Sequence, residues 1–365
     1  MRHMWSVAAV IAGLLAGICL PAEAEEGRAV PVIYSTDLYH PHIDLDDHFD
    51  LAQLFALAEL DIKGIILDIN GKVERSGQPA VEQMMAMTGR SVALAVGLKT
   101  PLRGLDDRAM DQPGEFQKGV ELVLRVLKES DEAVAIITTG SVRDIVAAYN
   151  REGEMFRRKV SGIHMNIGSA GVGGEEYNVG LDVVAYRAMV QSGLPVFLYP
   201  CFPADGKLAT YWRLDWKPIF EDGGFRRELR NYFVYAMEGV DPGKEAAASI
   251  LRPGFRPESR GRGQNPKEIW CTPSLLEVAG RKVYAVGPNK WIASRTVPAG
   301  GVEQAVWSLA PARIELDERG RPTKVEIGAA SANVRVFGRS DPKLYEQVMR
   351  SCLLDLYRGF PMARR

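Results

Sequence analysis

Apolar runs and amphipathic segments alternate between residues 30 and 201, and this alternation limits the folds that the chain can adopt. Runs such as "VPVIYSTD" (30–37), "DIKGIILDIN" (61–70) and "EAVAIITTG" (132–140) are continuous in apolar residues, as strands buried on both faces are. Segments with helical periodicity separate them, for example "FDLAQLFALAEL" (49–60). Strands that alternate with helices predict an α/β fold, an open and mainly parallel sheet flanked by helices.

The pattern changes after about residue 202. Residues 203–265 look helical and run into "LRPGFRPESRGRGQNP" (251–266), whose Pro, Gly and Arg content is typical of an exposed loop. Short alternating runs within 282–338 predict β-hairpins, with "ERGRP" (318–322) as the turn between two of them. We therefore expect residues 25–365 to form a single α/β domain with a C-terminal β-hairpin embellishment.

The first residues have the layout of a secretory signal peptide. A short basic start precedes an apolar run from Val7 to Leu20, and the small residues around Ala24 predict cleavage there, so residues 1–24 are expected to be removed. The apolar run is shorter than a membrane span requires, and no later run is long enough. We therefore expect a secreted or periplasmic protein without a membrane span.

Charge and cysteine content exclude some functions. The chain has 45 Lys and Arg against 46 Asp and Glu, so its composition gives no reason to expect nucleic acid or an acidic membrane surface as a partner. Cys201, Cys271 and Cys352 allow at most one disulfide bridge, and three buried thiols are the simpler expectation. The oligomeric state stays open.

Five aspartates and three histidines crowd the stretch "STDLYHPHIDLDDHFDLAQLFAL" (35–57), where the first predicted strand gives way to a helix. A capping loop needs only one or two carboxylates, whereas five at close range repel each other without a counter-ion. Carboxylate oxygens suit Ca²⁺ or Mg²⁺, whereas zinc prefers His or Cys. The stretch therefore predicts a divalent-cation site. Its aspartates are Asp37, Asp44, Asp46, Asp47 and Asp50.

Polar residues also follow other predicted strands. Because ligands of open α/β sheets bind beyond the carboxyl ends of the strands, we expect these residues to meet the aspartates at one rim. They are Asn70 after the second strand, Thr139 and Gly140 after "AIIT", and Glu175, Glu176, Asn178 and Asp182 after "GIHMNIG".

In this order, the segments resemble the inosine–uridine nucleoside hydrolases, whose N-terminal signature is D-x-D-x-x-x-D-D before a helix. "YSTD…DLDDHFDLA" is similar to its later part, with Asp37 in the second Asp position and Asp46 and Asp47 as the acidic pair. "ITTGSVRDI" resembles the family's T-G-x-L-T-N-I, and "GGEEYNVGLD" resembles its E-F-N-x-x-x-D. The resemblance covers roughly residues 30–200 and implies a nucleoside hydrolase-like fold.

The resemblance also implies a function and a small-molecule substrate: the calcium-dependent hydrolysis of N-glycosidic bonds in ribonucleosides or related ribosyl compounds. That reaction passes through an oxocarbenium-like state at the sugar, and a cation can both grip sugar hydroxyls and activate water. Asp46 would be the general base, while Asp37, Asp47 and the Thr139 carbonyl would bind Ca²⁺. The residues implied in ribose binding are Asn70, Met165, Glu176 and Asn178.

Two departures from the family pattern affect the N-terminal signature. Ser35 replaces its first aspartate. Eight residues, "LYHPHIDL", separate Asp37 from Asp46 where the family has three. This insert supplies three candidate extra ligands, His40, His42 and Asp44.

The third departure is the loss of the family's late His-Asp pair, which supplies a leaving-group contact and one more calcium ligand. No histidine follows His164, and the region of the pair offers only Asn265 or Glu268 as substitutes. Two other functions therefore stay open, hydrolysis of another glycoside and non-catalytic binding of a sugar or nucleoside. We expect His164 to be a core histidine and His48 to face solvent. Trp270 is expected in the core, with stacking on a base or sugar as the alternative.

Overall fold

The computed structural model describes residues 27–171, 173–202, 206–238, 265–329 and 332–363. The signal peptide predicted in residues 1–24 and most of the loop predicted at 251–266 lie outside them. The described strands, in chain order, are β1 (Val30–Thr36), β2 (Leu60–Leu67), β3 (Leu94–Val96), β4 (Val134–Thr138), β5 (Val160–Met165), β6 (Val196–Leu198), β7 (Trp212–Leu214), β8 (Lys267–Ile269), β9 (Lys282–Gly287), β10 (Lys290–Ser294), β11 (Val302–Glu303), β12 (Trp307–Leu316), β13 (Pro322–Ile327) and β14 (Val334–Arg339).

Helices connect most of these strands. The α-helices in the described ranges are α1 (Asp46–Ala56), α2 (Gln78–Thr88), α3 (Lys118–Glu129), α4 (Arg143–Arg151), α5 (Gly153–Lys159), α6 (Tyr177–Leu181), α7 (Val183–Val190), α8 (Lys217–Glu221), α9 (Arg227–Glu238), α10 (Thr272–Val278) and α11 (Pro342–Arg358). None of these helices combines the length and apolar content needed to cross a membrane.

Nine of the described strands form one central sheet in the order β13-β12-β14-β6-β5-β4-β1-β2-β3. Strands β1 to β6 and β14 pair in parallel, whereas β12 is antiparallel to both of its neighbours. The predicted α/β fold with a C-terminal hairpin is therefore confirmed. The hairpin turn is the predicted one: Asp317 accepts hydrogen bonds from the amides of Arg319 and Arg321, and Gly320 supplies a φ of 72° that glycine adopts without strain.

The sheet is buried on both faces, which explains the continuous apolar runs. Successive residues of β1 point to opposite faces, with Val32 and Tyr34 in one hydrophobic core and Ile33 in the other. All five residues of β4 are buried. A strand in this position has no polar face, so its sequence shows no alternation.

Two local predictions differ from the structure. Helix α1 begins at Asp46 instead of residue 49, so the acidic pair forms part of its first turn, where the helix dipole favours negative charge. In the segment predicted as helical from 203 to 265, residues 212–214 instead form β7, which pairs with β8 in a small antiparallel sheet. That pairing joins residues far apart in sequence and therefore leaves no local signal.

Candidate active site

A cavity of about 360 Å³ lies beyond the carboxyl ends of β1, β4 and β5, where ligands of open α/β sheets bind. Both halves of the chain contribute to its wall. The lining residues are Asp37, Tyr39, Ile43, Asp44, Asp46, Asp47, Thr139, Asn166, Glu175, Glu176, Tyr177, Asn178, Cys201, Phe202, Trp270 and Cys271.

The acidic part of the wall forms where β1 passes into α1. Asp37 directly follows β1, and Asp47 on the first turn of α1 accepts a hydrogen bond of 3.3 Å from the Thr36 hydroxyl. Gly140 packs against Asp37 so closely that a Cβ at residue 140 would lie 2.9 Å from both the amide nitrogen and the Cβ of Asp37. Glycine is therefore required after Thr139 for the two strand ends to meet.

Asn178 joins the ends of β4 and β5. Its side-chain amide donates to the carbonyl of Thr139 at 3.1 Å and to the carbonyl of Asn166 at 3.4 Å. The Thr139 amide in turn donates to the Ser35 carbonyl at 2.9 Å. A carbonyl oxygen has two lone pairs, so Thr139 can still accept a bond from a ligand while Asn178 is in place.

Glu176 acts as the N-cap of α6. Its carboxylate accepts hydrogen bonds from the amides of Gly168 at 2.8 Å, Asn178 at 3.0 Å and Val179 at 3.0 Å. Burial raises the pKa of Glu176, and these backbone hydrogen bonds work in the opposite direction. The carboxylate borders the cavity, and its contacts fix the start of the helix that presents Asn178.

Two of the residues implied in ribose binding are not among the lining residues. Met165 is fully buried in a hydrophobic core, and Asn70, which has a φ of 40°, accepts a hydrogen bond from Arg143 at 3.4 Å. The residue after Met165 does line the cavity: Asn166 is buried, and its Oδ1 has no hydrogen-bond partner among the described residues. Asn166 is the first polar residue after β5, a signal that the sequence offered.

The insert adds one carboxylate to the cavity wall, and its two histidines are not among the lining residues. Asp44 lines the cavity, whereas His40 and His42 do not. The His40 ring stacks on Tyr235 with a centroid separation of 4.1 Å, and the His48 centroid is 5.8 Å from that of His40 and 6.3 Å from that of His42. The prediction that His48 faces solvent was wrong, because its side chain is fully buried.

Part of the cavity wall is aromatic. Phe202 and Tyr177 are 45% and 60% exposed at the mouth of the cavity. Trp270 also lines the cavity and donates from Nε1 to the carbonyl of Cys201 at 3.3 Å, so it is not the core tryptophan expected from its sequence position. His164 is a core histidine, as expected: it is buried, with Nδ1 hydrogen-bonded to the Tyr199 hydroxyl at 3.1 Å.

Neither expected substitute for the late His-Asp pair faces the cavity. Asn265 accepts from the Trp216 amide at 3.1 Å and donates to Asp215 at 2.9 Å, while Glu268 accepts from the Tyr211 hydroxyl at 3.2 Å. Lys267, one of the two residues between them in sequence, does approach the site. The Lys267 ammonium forms an ion pair with Asp44. Sequence reasoning missed Lys267, although the alternation of Lys267 and Ile269 inward with Glu268 outward in β8 indicates its direction.

Burial and mutual repulsion dominate the electrostatics of the acidic wall. Burial raises the pKa of Asp37 well above its usual value, and the Asp68 carboxylate raises it further. The pKa of Asp47 is raised by burial and then by Asp37 and Asp46. Burial and the Asp44 carboxylate raise the pKa of Asp46, while Lys267 lowers it. A positive charge in the cavity would lower all three pKa values, as bound cations do.

The donor set fits a hard divalent cation. Asp37, Asp47 and the Thr139 carbonyl are oxygen donors, which Ca²⁺ prefers, and the unpartnered Oδ1 of Asn166 is a further oxygen at the same cavity. Within the described ranges, no three His, Cys, Asp or Glu side chains stand in the geometry of a formed metal centre. The fit therefore rests on the chemistry of the donors.

The fold and cavity together define a class: an α/β protein with an oxygen-rich site for a small ligand at the carboxyl edge of its sheet. A pyrimidine-specific ribonucleoside hydrolase, RihA, from Enterobacter sp. (strain 638) is 28% identical to the chain over 191 residues, which cover 47% of this chain and 59% of that protein. The chain spans about three fifths of the length of the curated relatives it matches. No protein-family model matches it.

Solved structures show the same fold. A plant nucleoside hydrolase has a TM-score of 0.54 at 13% identity, with 89% of this chain and 98% of that one covered. A purine-preferring ribonucleoside hydrolase from Gardnerella vaginalis has a TM-score of 0.53 at 15% identity, with 90% and 99% covered. The chain is a divergent relative of the nucleoside hydrolases and has their fold.

Proposed function

We propose that the protein is an exported, calcium-dependent hydrolase of N-glycosidic bonds in ribonucleosides or related ribosyl compounds. One observation carries the proposal: Asp37, Asp46 and Asp47 share a cavity with Thr139 and two asparagines. Carboxylates beside amide groups suit a ligand that combines hydroxyls with a developing positive charge, as a ribosyl oxocarbenium ion does. Export rests on the leader sequence in residues 1–24.

In this proposal, each part of the wall has a separate task. Asp46 takes the proton from the attacking water, the role of a general base. Asn166 and Asn178 hold the sugar hydroxyls, and Glu176 keeps α6 in place beneath Asn178. When bound by Asp37, Asp47 and the Thr139 carbonyl, Ca²⁺ would polarise water and sugar oxygens and keep neighbouring carboxylates ionised.

In this proposal, the aromatic wall contacts the leaving group. Tyr177, Phe202 and Trp270 give a nucleobase flat apolar surfaces, and base–aromatic stacking contributes about 1–3 kcal/mol per base. The described lining contains no histidine, so the late His-Asp pair has no histidine counterpart there. We expect ribosides whose leaving group departs without a proton to react fastest.

The test is an assay of purified protein with purine and pyrimidine nucleosides and with 4-nitrophenyl riboside, after chelator treatment and after Ca²⁺ is restored. We expect free base only with Ca²⁺, and a kcat/KM on the nitrophenyl riboside about 10²-fold higher, the lower range of what a general acid contributes. Failure to release base or nitrophenol from any substrate would refute the proposal. Thermal stabilisation by a nucleoside without turnover would identify the non-catalytic alternative.

A further inference from the structure

Lys267 is a buried cation beside the acidic wall. It begins β8, and its side chain is only 9% exposed, although lysine is rarely buried without a partner. The partner is Asp44, whose side chain is 49% exposed on the insert that lengthens the N-terminal signature. The ion pair therefore joins the C-terminal part of the chain to the segment that precedes the proposed general base.

The protein holds the lysine end of this pair firmly. Lys267 pairs with Leu214 of β7, and two residues earlier the side chain of Asn265 is hydrogen-bonded to Trp216 and Asp215. The Lys267 Nζ also lies 5.9 Å from the centroid of the Trp270 ring. These contacts fix the position at which the ammonium meets Asp44.

The insert is held at two points. Arg75 donates to the backbone carbonyls of Pro41 at 2.7 Å and His42 at 3.1 Å, and Lys267 pairs with Asp44. Only the second point lies next to the first turn of α1, because Asp44 is two residues before Asp46 and lines the same cavity. The backbone amide of Asp46 also donates a hydrogen bond to the Asp44 carboxylate.

We propose that Lys267 is a positioning residue, which holds Asp44 and through it fixes the Asp46 carboxylate in the orientation that the hydrolysis requires. The inference rests on the proposed function. Lys267 does not line the cavity, so it acts through Asp44 and makes no contact with substrate. Its loss should therefore lower kcat and leave KM nearly unchanged.

The experiment compares Lys267→Met, Asp44→Asn, the double variant and Lys267→Arg on the best substrate of the wild type. Lys267→Met and Asp44→Asn should each lower kcat about tenfold or more, with KM within about threefold of the wild-type value. The double variant should have about the same kcat as the less active of these two single variants, because paired residues act as a unit. Lys267→Arg should recover most of the kcat. Lys63→Met, which breaks an exposed pair with Asp61, is the matched control and should leave kcat unchanged.

Calcium binding by calorimetry gives a readout that is independent of turnover. Removing the Lys267 charge from the acidic wall should tighten Ca²⁺ binding several-fold, and Lys63→Met should not. The inference would be overturned if Lys267→Met folds and keeps the wild-type kcat. It would also be overturned if the fold-decrease in kcat of the double variant equals the product of the two single fold-decreases. If Lys267→Met does not fold, Asp44→Asn decides, and a wild-type kcat there would overturn it as well. Inactivity of the wild type itself would instead refute the proposed function.

Discussion

The two walls of the cavity are built differently. One wall follows strand ends in the first half of the chain. Hydrogen bonds tie Asp47 to the Thr36 hydroxyl at the end of β1, and Asn178 to the carbonyls that follow β4 and β5. The other wall is aromatic: Phe202 and Trp270 come from segments next to the small β7–β8 sheet, and Tyr177 of α6 adds a third ring. In the proposed function, the first wall carries the chemistry and the second wall contacts the leaving group.

Lys267 is the exception, because it belongs to the second half of the chain and acts on the first wall. In the structure it supplies a positive charge to Asp44. A lysine paired with a carboxylate is a weaker proton donor to a leaving group than a histidine, because its pKa, already high, is raised further by Asp46 and Asp44 against the opposing effect of burial. This supports a positioning role for Lys267.

The largest effect is expected from Asp46→Asn, which removes the proposed base from the first wall. The kcat should fall by about 10³-fold, equivalent to about 4 kcal/mol, because an amide cannot accept the proton of water. Steady-state kinetics on the best substrate would measure it, with ligand binding by calorimetry as the test of folding. A loss below tenfold would show that another group acts as the base.

The His164→Gln variant tests whether β5 carries purely structural residues alongside its site residues. Burial lowers the pKa of His164 to about 3, so the neutral ring stabilises the fold above pH 6.5, and this contribution is lost as the pH falls toward 3. At pH 5 the loss should be about 2 kcal/mol. His164→Gln should remove it, so the difference in the free energy of unfolding between variant and wild type should shrink by that amount from pH 7 to pH 5.

Urea unfolding at both pH values measures this effect. The kcat per folded molecule should stay near the wild-type value, because His164 faces Tyr199 and Phe197 instead of the cavity. An equal difference in stability at the two pH values would show that His164 takes up a proton in the folded state without cost.

The smallest effect is expected on the aromatic wall. Trp270→Ala should raise KM for nucleosides about tenfold, or about 1.4 kcal/mol, with kcat within about threefold, because stacking binds the base in both the ground state and the transition state. Trp307→Ala, a tryptophan of β12 that does not line the cavity, is the control. A fall in kcat larger than the rise in KM would indicate that Trp270 takes part in the chemical step. That result would weaken the division between the two walls.

Local patterns predicted much of the fold. The apolar runs located β1, β2 and β4, and the "ERGRP" turn located the hairpin between β12 and β13, because both signals depend on residues close in sequence. The same is true of the acidic pair, which stands at the predicted junction of strand and helix. The roles of the site residues and the export of the protein remain predictions.

The sequence by itself determined the alternation of strands and helices and the crowding of aspartates after β1, since periodicity and charge spacing are local properties. Only the tertiary structure decided which polar residues face the cavity. It brought Asn166 and Trp270 to the wall, left Met165 in the core, and paired Lys267 with Asp44. The physical reason is that contact between side chains depends on packing between segments distant in sequence. A local pattern indicates at most that Asn166 follows a strand end or that Lys267 points inward, and it does not encode which side chains they will meet.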